Sequence, residues 1–345
     1  MDTAFQTEAS TASQLSALLA NAGFAPLAET GWIRITGSDR ARWLNGMLTN
    51  SIQALTPGQG CYNFALNSQG RIQGIGNVFA PADDPDALLM QTDRSQVPDL
   101  MAHLDHFIIM DDVELSDVSD QRSGVLVAGV NASSVLEKLG LPIPEESLAI
   151  TEAEWSGAGV RVIRAYGPLV DRFEVWADAD TAESLSSAVS GEAVCVGPEA
   201  LECLRVLEGT PRYGVDIRNT DKAHDLPQET ATAGSQSRAL HFAKGCYLGQ
   251  EIVERIRSRG NVHRAFSGFE LKGALVTEGT TLEADGKPAG ELTSVAAILL
   301  NGRTVHCGLG YVRREALERK LTLGYPGGEA VPVALPFRSA LGGQI

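Results

Sequence analysis

The most regular pattern in the chain lies at residues 124–196, where strand-like and helix-like runs alternate. It opens with GVLVAGV at 124–130, and the runs VRVIRAY at 160–166 and RFEVWA at 172–177 flank a turn at Gly167-Pro168. Asn131 can cap the first helix of this segment. The predicted elements are strands at 124–130, 160–166, 172–177 and 193–196, and helices at 131–140 and 180–189. This β-α-β-β-α-β order is that of the split ferredoxin-like unit.

The same alternation is predicted earlier in the chain. A strand ends at Thr36, Ser38 can cap the helix that follows, and the turn-forming run NSQG at 67–70 joins two strands. The predicted elements are strands at 32–36, 60–66, 71–80, 87–92 and 107–115, and helices after Ser38 and at 95–105. The two segments therefore predict paired α+β domains.

The pattern changes in the last third of the chain. Pro198 begins a predicted helix that ends at Gly209, and from Phe266 onward the sequence consists of short strands and turns. Asp285-Gly286 is a hairpin signal, and a short helix is predicted at 314–319. The sequence predicts an α+β protein with two split ferredoxin-like domains and a small C-terminal β-barrel or sandwich. The predicted boundaries are 1–120, 121–197, 198–264 and 265–345.

Composition excludes several classes of protein. Of the 345 residues, 43% are apolar, yet the longest purely apolar run, Val295–Leu300, is far below the ~20 residues that span a bilayer. The first ten residues carry no basic side chain, so we expect a cytoplasmic protein without membrane partners. The net charge of −15 disfavours direct nucleic-acid binding. The five cysteines form no C-x-x-C pair, which disfavours a disulfide framework or a metal site built from one local run.

The most unusual segment is KGCYLGQE at 244–251. Gly245 and Gly249 lie on either side of Cys246 within it, and a helix-like run follows at 250–257. A thiol just before a helix N-terminus, with Lys244 beside it, is favoured as thiolate, the form that attacks electrophiles and binds metals. Cys246 is therefore a candidate functional thiol. The alternative is that Cys246 is a small buried hydrophobic residue, as most free cysteines are.

This octapeptide resembles the signature of the YgfZ family of folate-binding proteins, which are related to the glycine cleavage T protein, an aminomethyltransferase. Further blocks are similar to that family over about residues 30–315. They are ITGSD at 35–39, LTN at 48–50, LNSQGR at 66–71, RVLEGTP at 205–211, GVD at 214–216, LPQE at 226–229, GELTS at 290–294 and GYVR at 310–313.

The resemblance implies an aminomethyltransferase-like fold around a central pocket for tetrahydrofolate or a derivative. It implies a role in assembly or repair of iron–sulfur proteins, and so indirectly in tRNA modification, with client enzymes or assembly proteins as partners. Cys246 is the expected functional thiol, with Lys244 acting beside it. Cys246 is also a candidate ligand of a transient iron–sulfur cluster, and no resident metal is expected. The residues expected to contact folate are Trp32, Arg205, Glu208, Tyr247, Gln250, Glu251, Arg255 and Arg259.

Three of these assignments have competing interpretations. Trp32 can stack on a pterin or belong to the core. The basic run from Arg255 to Arg264 can receive the carboxylates of a folate tail, or form ion pairs with Glu251 and Glu254 on a solvated face. The family's pterin-binding glutamate would fall at Leu207, and a shift of one residue to Glu208 turns a helical side chain by roughly 100°.

A further departure bears on the reaction. The related aminomethyltransferase has a carboxylate a few residues after its turn, but residues 70–77, GRIQGIGN, contain no Asp or Glu. General acid–base assistance is missing at that point, which disfavours aminomethyl transfer. The sequence therefore favours a folate-dependent accessory factor. The alternatives are a tetrahydrofolate-dependent aminomethyltransferase or demethylase-type one-carbon transferase, and a catalytically silent folate-binding module.

Overall fold

A computed structural model of the chain describes residues 10–220, 223–224, 226–230, 238–259, 262–300 and 302–338. The expectations for the first nine residues lie outside these ranges. The chain begins with helix α1 (Thr11–Ala20) and strand β1 (Gly23–Pro26). Neither is predicted from the sequence, and neither joins the sheet that follows in the chain.

The first sheet is antiparallel, with the strand order β3-β4-β5-β2-β6. Helices α2 and α3 cover one face, where Trp43, Leu44 and Leu100 are buried against strand residues. Its elements are β2 (Thr30–Thr36), α2 (Arg40–Met47), β3 (Gln59–Leu66), β4 (Ile72–Ala80), β5 (Leu88–Asp93), α3 (Val97–Asp105) and β6 (Glu114–Asp117).

The second sheet has the order β11-β1-β7-β10-β9-β8, so β1 lies in it, parallel to β11 and antiparallel to β7. In helix α5 the Asp178 side chain accepts from the Thr181 amide, and Ala182, Leu185 and Val189 recur on the buried face. The remaining elements are β7 (Ser123–Ala128), α4 (Ala132–Lys138), β8 (Ile150–Trp155), β9 (Ala158–Arg164), β10 (Arg172–Ala177), α5 (Ala179–Val189) and β11 (Val194–Cys195).

Helix α6 (Pro198–Glu208) connects the sheets to the C-terminal domain. Leu204 and Leu207 share one apolar cluster with Leu15 of α1 and with Leu309 of the C-terminal domain. A left-handed Gly209 (φ 69°) ends α6, as the sequence predicts. The chain continues through the short strands β12 (Asn219–Thr220) and β13 (Ala223–His224) to helix α7 (Gln250–Arg259).

The C-terminal domain is a closed barrel with the order β14-β17-β16-β15-β18-β19. The predicted hairpin at Asp285-Gly286 is confirmed: both residues have positive φ (51° and 71°), as a type I′ turn requires, and they join β15 to β16. The elements are β14 (Arg264–Gly273), β15 (Thr281–Ala284), β16 (Lys287–Leu300), β17 (Arg303–Arg313), α8 (Arg314–Glu318), β18 (Leu323–Tyr325) and β19 (Gly328–Val333).

The predicted fold class, paired α+β units with a C-terminal β-barrel, is confirmed, but three local predictions are wrong. Asn131 stands at the N-cap position of α4, yet its side chain does not cap the helix and instead donates to Asn21 Oδ1 at 3.1 Å. The strand expected at 107–115 is a loop up to residue 113, and only Glu114–Asp117 pairs in the sheet. Ser38 does not cap α2, because its hydroxyl and its amide both donate to the Asp112 carboxylate. That contact fixes the loop against the start of α2 instead of continuing the sheet.

Candidate functional site

A cavity of about 480 Å³ lies where the two sheets and α6 meet. Its walls come from β3, β4 and β5 of the first sheet, from β7 and β10 of the second, and from α6 with the loop after it. Most of the lining side chains are polar or charged, with a smaller number of apolar and aromatic ones among them. The lining includes Tyr62, Asn77, Gln91, Arg172, Glu174, Arg205, Thr210 and Pro211.

Glu174 is an acidic group of this cavity that sequence reasoning missed. Its Oε2 accepts a hydrogen bond from Gln91 Nε2 at 2.5 Å and from Trp176 Nε1 at 2.8 Å, and Asn77 Nδ2 donates to Gln91 Oε1 at 3.1 Å. Oε1 makes no hydrogen bond within the described residues. Burial raises the pKa of Glu174, although the two hydrogen bonds and the charge of Arg172 oppose this. The cavity therefore contains a carboxyl held in place with one free oxygen.

A signal for Glu174 exists in the sequence. In the run RFEVWA, Phe173 and Val175 enter the core of the second sheet. Side chains alternate across a strand, so Arg172, Glu174 and Trp176 share the opposite face. A carboxyl at the centre of such a face, inside a predicted central strand, indicates a polar site on that side of the sheet.

Arg205 also lines the cavity, but its guanidinium is bound to protein groups. It donates to Glu202 and Asp216 at 2.6 Å each, and to the Ser294 hydroxyl at 2.7 Å. Asp216 is completely buried. Since Ser294 belongs to the barrel, Arg205 ties α6 to the C-terminal domain at the edge of the cavity.

Glu208 lies outside the lining of this cavity. Its side chain is fully buried, and Oε2 accepts from Arg172 Nη2 at 2.9 Å. It borders a separate, smaller pocket on the other side of the loop at Thr210–Pro211. Leu207 is buried in the apolar cluster beneath α6. Neither position of this helical turn therefore presents a carboxylate to the cavity, whereas Glu174 does.

Trp32 lies in the core between the two sheets. Its ring is 1% exposed and meets Trp176 edge to face, with ring centroids 5.9 Å apart. Phe79 belongs to the same cluster. The indole Nε1 has no hydrogen-bond partner within the described residues. The core-packing interpretation fits this placement, and stacking on a pterin by Trp32 stays a prediction.

Lys244 anchors the motif loop to the segment after α2. Its Nζ donates to the main-chain carbonyls of Asn45 and Leu48 at 2.7 Å each, and of Asn50 at 2.5 Å. Burial lowers the pKa of Lys244 to about 8. No hydrogen bond joins this ammonium to Cys246 in the described chain. Lys244 therefore acts first as a clamp on the backbone.

The other motif residues build the turn into α7. Tyr247 is buried, its amide donates to Gln250 Oε1 at 3.3 Å, and its carbonyl accepts the Gln250 amide at 3.1 Å. Lys244 Nζ lies 5.2 Å from the Tyr247 ring centroid. Cys246 is exposed. The interpretation of Cys246 as a buried hydrophobic residue is therefore wrong, and the loop presents the thiol to solvent.

Two glycines allow the motif loop to meet the first sheet. Gly249 (φ 80°) and Gly70 (φ 70°) are both left-handed, a conformation that favours glycine. A Cβ on Gly249 would lie 2.6 Å from the Asn67 carbonyl oxygen, and one on Gly70 would lie 2.7 Å from Ile252 Cβ. The QGR turn and the start of α7 are thus in direct contact, so two segments far apart in the sequence form one unit.

The charged side chains of α7 form ion pairs largely with one another. Arg255 pairs with Glu251 at 2.6 Å, and Arg257 pairs with Glu254 while its guanidinium lies 4.2 Å from the Phe242 ring. The first pair is exposed, and such pairs contribute little to stability. None of these residues lines the cavity. The side chain of Arg259 lies outside the described residues, so its expected contact with folate stays a prediction.

The described ranges contain neither a candidate metal centre nor a membrane-spanning helix. No three His, Cys, Asp or Glu side chains in these ranges are grouped so that they could hold a metal ion. None of the helices within them has both the length and the apolar character needed to cross a membrane.

Comparison with known proteins defines the class of protein. A family model described as the GCVT N-terminal domain matches residues 3–233, and one described as the CAF17 C-terminal beta-barrel domain matches residues 264–339. The chain therefore belongs to the GCVT N-terminal domain family, with a CAF17-type barrel after it. The resemblance to YgfZ-type proteins related to aminomethyltransferases is confirmed.

Individual relatives agree with this assignment. The chain is 27% identical to a chloroplastic protein of Arabidopsis thaliana named as a candidate transferase, over 84% of this chain and 65% of that protein, just under two thirds of its length. It is 26% identical to the tRNA-modifying protein YgfZ of Escherichia coli O157:H7, over 67% of this chain and 66% of that one. The fold matches glycine cleavage system aminomethyltransferase T of Bartonella henselae with a TM-score of 0.78 at 20% identity, covering 95% and 89% of the two chains.

Proposed function

We propose that this chain is a folate-dependent accessory factor in the assembly or repair of iron–sulfur proteins, acting in the cytoplasm and affecting tRNA modification indirectly. Family membership and the YgfZ relative support a folate-related function. The finer role rests on two features: a cavity suited to a pterin, and a separate exposed thiol on an anchored loop.

The observation that carries the folate assignment is the carboxyl of Glu174. A pterin has two adjacent donors, the ring N3–H and the 2-amino group, and a carboxylate accepts from such an edge. Glu174 Oε1 is free to do so, while Gln91 and Trp176 hold Oε2. The volume of about 480 Å³ lies within the range of ~300–1,000 Å³ typical of ligand pockets. We therefore expect tetrahydrofolate or a derivative to bind in this site.

Cys246 is the group that we expect to act on a client. It is exposed on a loop that Lys244 and Gly249 fix against the first sheet. The described residues supply no three-ligand group around it. An iron–sulfur cluster would therefore be cargo of a client enzyme or assembly protein, to which Cys246 contributes at most part of the ligand set.

The test is complementation in the native host. A deletion strain receives the wild type, Cys246→Ala or Cys195→Ala, and the activities of cluster enzymes and the level of thiomethylated tRNA are measured together. We expect the wild type and Cys195→Ala to restore both, and Cys246→Ala to restore neither. Full rescue by Cys246→Ala would remove the thiol from the proposal.

Glu174 also favours a second candidate, a folate-dependent one-carbon transferase. Residues 70–77 contain no acid, but Glu174 supplies a carboxyl of raised pKa inside the same cavity, as general acid–base chemistry requires. The two candidates separate in an assay of aminomethyl transfer from the lipoyl carrier protein to tetrahydrofolate, which only the transferase performs.

A further inference from the structure

A second pocket borders Trp176 and has a volume of about 260 Å³. Among the described residues it shares no lining with the central cavity, but the two spaces are neighbours, since the Trp176 indole N–H donates to Glu174 of that cavity at 2.8 Å. The charged side chains of its lining are Asp83, Arg122, Glu152, Arg161 and Asp178. We call it the Arg122 pocket.

The space of this pocket opens at Gly159. The pairings of Trp176 with Arg161 and of Ala177 with Ser123 continue by one or two residues, so that Gly159, Asp178 and Arg122 form one row across β9, β10 and β7. A Cβ at Gly159 would have no heavy atom within 4 Å apart from its chain neighbours. The missing side chain therefore leaves room on the face of the sheet that carries Arg122.

The two aspartates whose charges act on Arg122 already have arginine partners. Arg161 donates through Nε and Nη2 to both oxygens of Asp83, at 2.8–3.1 Å. Arg34 donates through the same two nitrogens to both oxygens of Asp84, at 3.0–3.1 Å. Such two-point contacts are the strong geometry for an arginine and a carboxylate. Asp83 and Asp84 are therefore satisfied without Arg122.

Arg122 is the third arginine of this group, and it has no carboxylate of its own. Its side chain is half-buried, and its guanidinium forms no ion pair or hydrogen bond with the described residues. Burial and the charge of Arg161 lower the pKa of Arg122, and the charges of Asp83 and Asp84 oppose this. With Arg34, three arginines meet two aspartates, so one positive charge is left uncompensated at the wall of the pocket.

The two other acids of the lining do not neutralise Arg122. Asp178 lies opposite it across β7 and β10, but its carboxylate is turned to α5, where Oδ1 accepts the Thr181 amide at 2.8 Å. Glu152 lies on β8, and its Oε1 accepts the Ala82 amide at 2.9 Å. Strand β8 is three places from β7 in the sheet, so its backbone lies ~14 Å from the strand that Arg122 precedes.

We propose that the Arg122 pocket binds a small organic monocarboxylate, with both carboxylate oxygens on the Arg122 guanidinium. The planar fork of an arginine matches a carboxylate in two-point contact. A single uncompensated charge suits a monoanion better than a phosphate, which carries nearly two charges at neutral pH. The volume is just below the ~300–1,000 Å³ of pockets for drug-sized ligands, so the ligand has few heavy atoms.

The test is calorimetry on the full chain in a chloride buffer without folate, so it stands even if the central cavity binds no folate. The probes are acetate, butyrate and benzoate, with acetamide, butyramide and benzamide as their uncharged analogues. Inorganic phosphate is the competing anion. We expect at least one carboxylate to bind, and its amide and phosphate each to bind at least ~10-fold more weakly.

Two variants locate the binding. Arg122→Met removes the guanidinium but keeps an unbranched side chain, and it should weaken carboxylate binding at least ~10-fold. Gly159→Leu changes no charge but fills the open space of the pocket, and it should weaken binding by a similar factor. Arg319→Met, an exposed change at the end of α8 and outside the pocket, is the control and should bind as the wild type does.

Thermal unfolding without ligand supplies a second readout. Since Arg122 has no ion pair to lose in the described chain, Arg122→Met should unfold at no lower temperature than the wild type. A clear loss of stability would overturn the proposal, because Arg122 would then serve the fold as a counter-charge for Asp83 and Asp84. The proposal is also overturned if none of the three carboxylates binds, if an amide or phosphate binds as well as the carboxylate, or if either pocket variant leaves binding unchanged.

Discussion

Lys244 and Asn50 join the motif loop to the wall of the central cavity. Lys244 Nζ donates to the Asn50 carbonyl at 2.5 Å, and Asn50 Nδ2 donates to the carbonyl of Tyr62 at 3.0 Å. Tyr62 lines the cavity. The loop that presents Cys246 and the site proposed for folate are therefore connected through two hydrogen-bonded residues, so changes in the loop should reach the cavity.

Replacing Lys244 should destabilise the protein. Lys244→Met leaves three main-chain carbonyls without their donor, and hydrogen bonds that involve a charged group each contribute ~1.5–3 kcal/mol. We expect a loss of at least ~2 kcal/mol in the free energy of unfolding, measured in urea. Lys287→Met, at an exposed position of the barrel, is the matched control and should change little. Equal stability of the two variants would contradict a clamp at Lys244.

The five thiols should differ in reactivity because their burial differs. Burial raises the pKa of Cys61 to about 11 and that of Cys307 to about 12, and it also raises the pKa of Cys203. Little thiolate exists at these positions at neutral pH, so they should be alkylated slowly. Cys246 and Cys195 are both exposed. We expect mass spectrometry to show that Cys246 is alkylated fastest. If Cys246 is alkylated no faster than Cys195, the result would count against Cys246 as the functional thiol.

Glu174 should give the stability of the ligand-free protein a specific dependence on pH. Burial raises its folded pKa above the ordinary value of 4.5, so the folded state keeps this proton to higher pH than the unfolded state does. The wild type therefore loses stability as pH rises from about 4.5 through the folded pKa. Glu174→Gln keeps an acceptor for Gln91 and Trp176, but it has no carboxyl that must lose its proton and so does not lose this stability as pH rises.

The variant should accordingly be more stable than the wild type at neutral pH, and the difference should shrink as pH falls toward 4.5. Thermal unfolding of both proteins across this range measures it. Glu315→Gln, an exposed change on α8, controls for the loss of one charge. If Glu174→Gln is less stable than the wild type at neutral pH, burial does not disfavour the ionised form of Glu174. The carboxylate would then be stabilised by solvent or by its hydrogen-bond partners.

The chain should not perform glycine cleavage. No acid lies between Gly70 and Asn77, where the related aminomethyltransferase has its carboxylate. We expect no folate-dependent ammonia release from the aminomethylated lipoyl carrier protein. A rate on the order of 1 per second or more, typical of enzymes, would instead establish the transferase function.

Local patterns in the sequence predict much of this fold, and contacts between distant segments account for the rest. The alternation in 172–177 and the Asp285-Gly286 turn are fixed by neighbouring residues, and both appear as expected. Strand β1 joins the second sheet by pairing with β7, about a hundred residues later, and no local pattern indicates that partner.

In the candidate site, too, contacts between distant segments decide what the local sequence does not predict. Proximity in sequence suggests that Lys244 serves Cys246, but its partners are carbonyls almost two hundred residues earlier. Glu174 receives its role from Gln91 and from the cavity that α6 closes. These roles depend on how the two sheets meet, which single-sequence reasoning does not determine.

Calorimetry with tetrahydrofolate tests most directly whether a reduced folate binds in the cavity through Glu174. The wild type and Glu315→Gln should bind with the same affinity. Glu174→Gln should bind ~10-fold or more weakly, because an amide cannot match the charged acceptor opposite the two pterin donors. Absence of heat with the wild type at millimolar ligand, or equal binding by Glu174→Gln, would contradict the account.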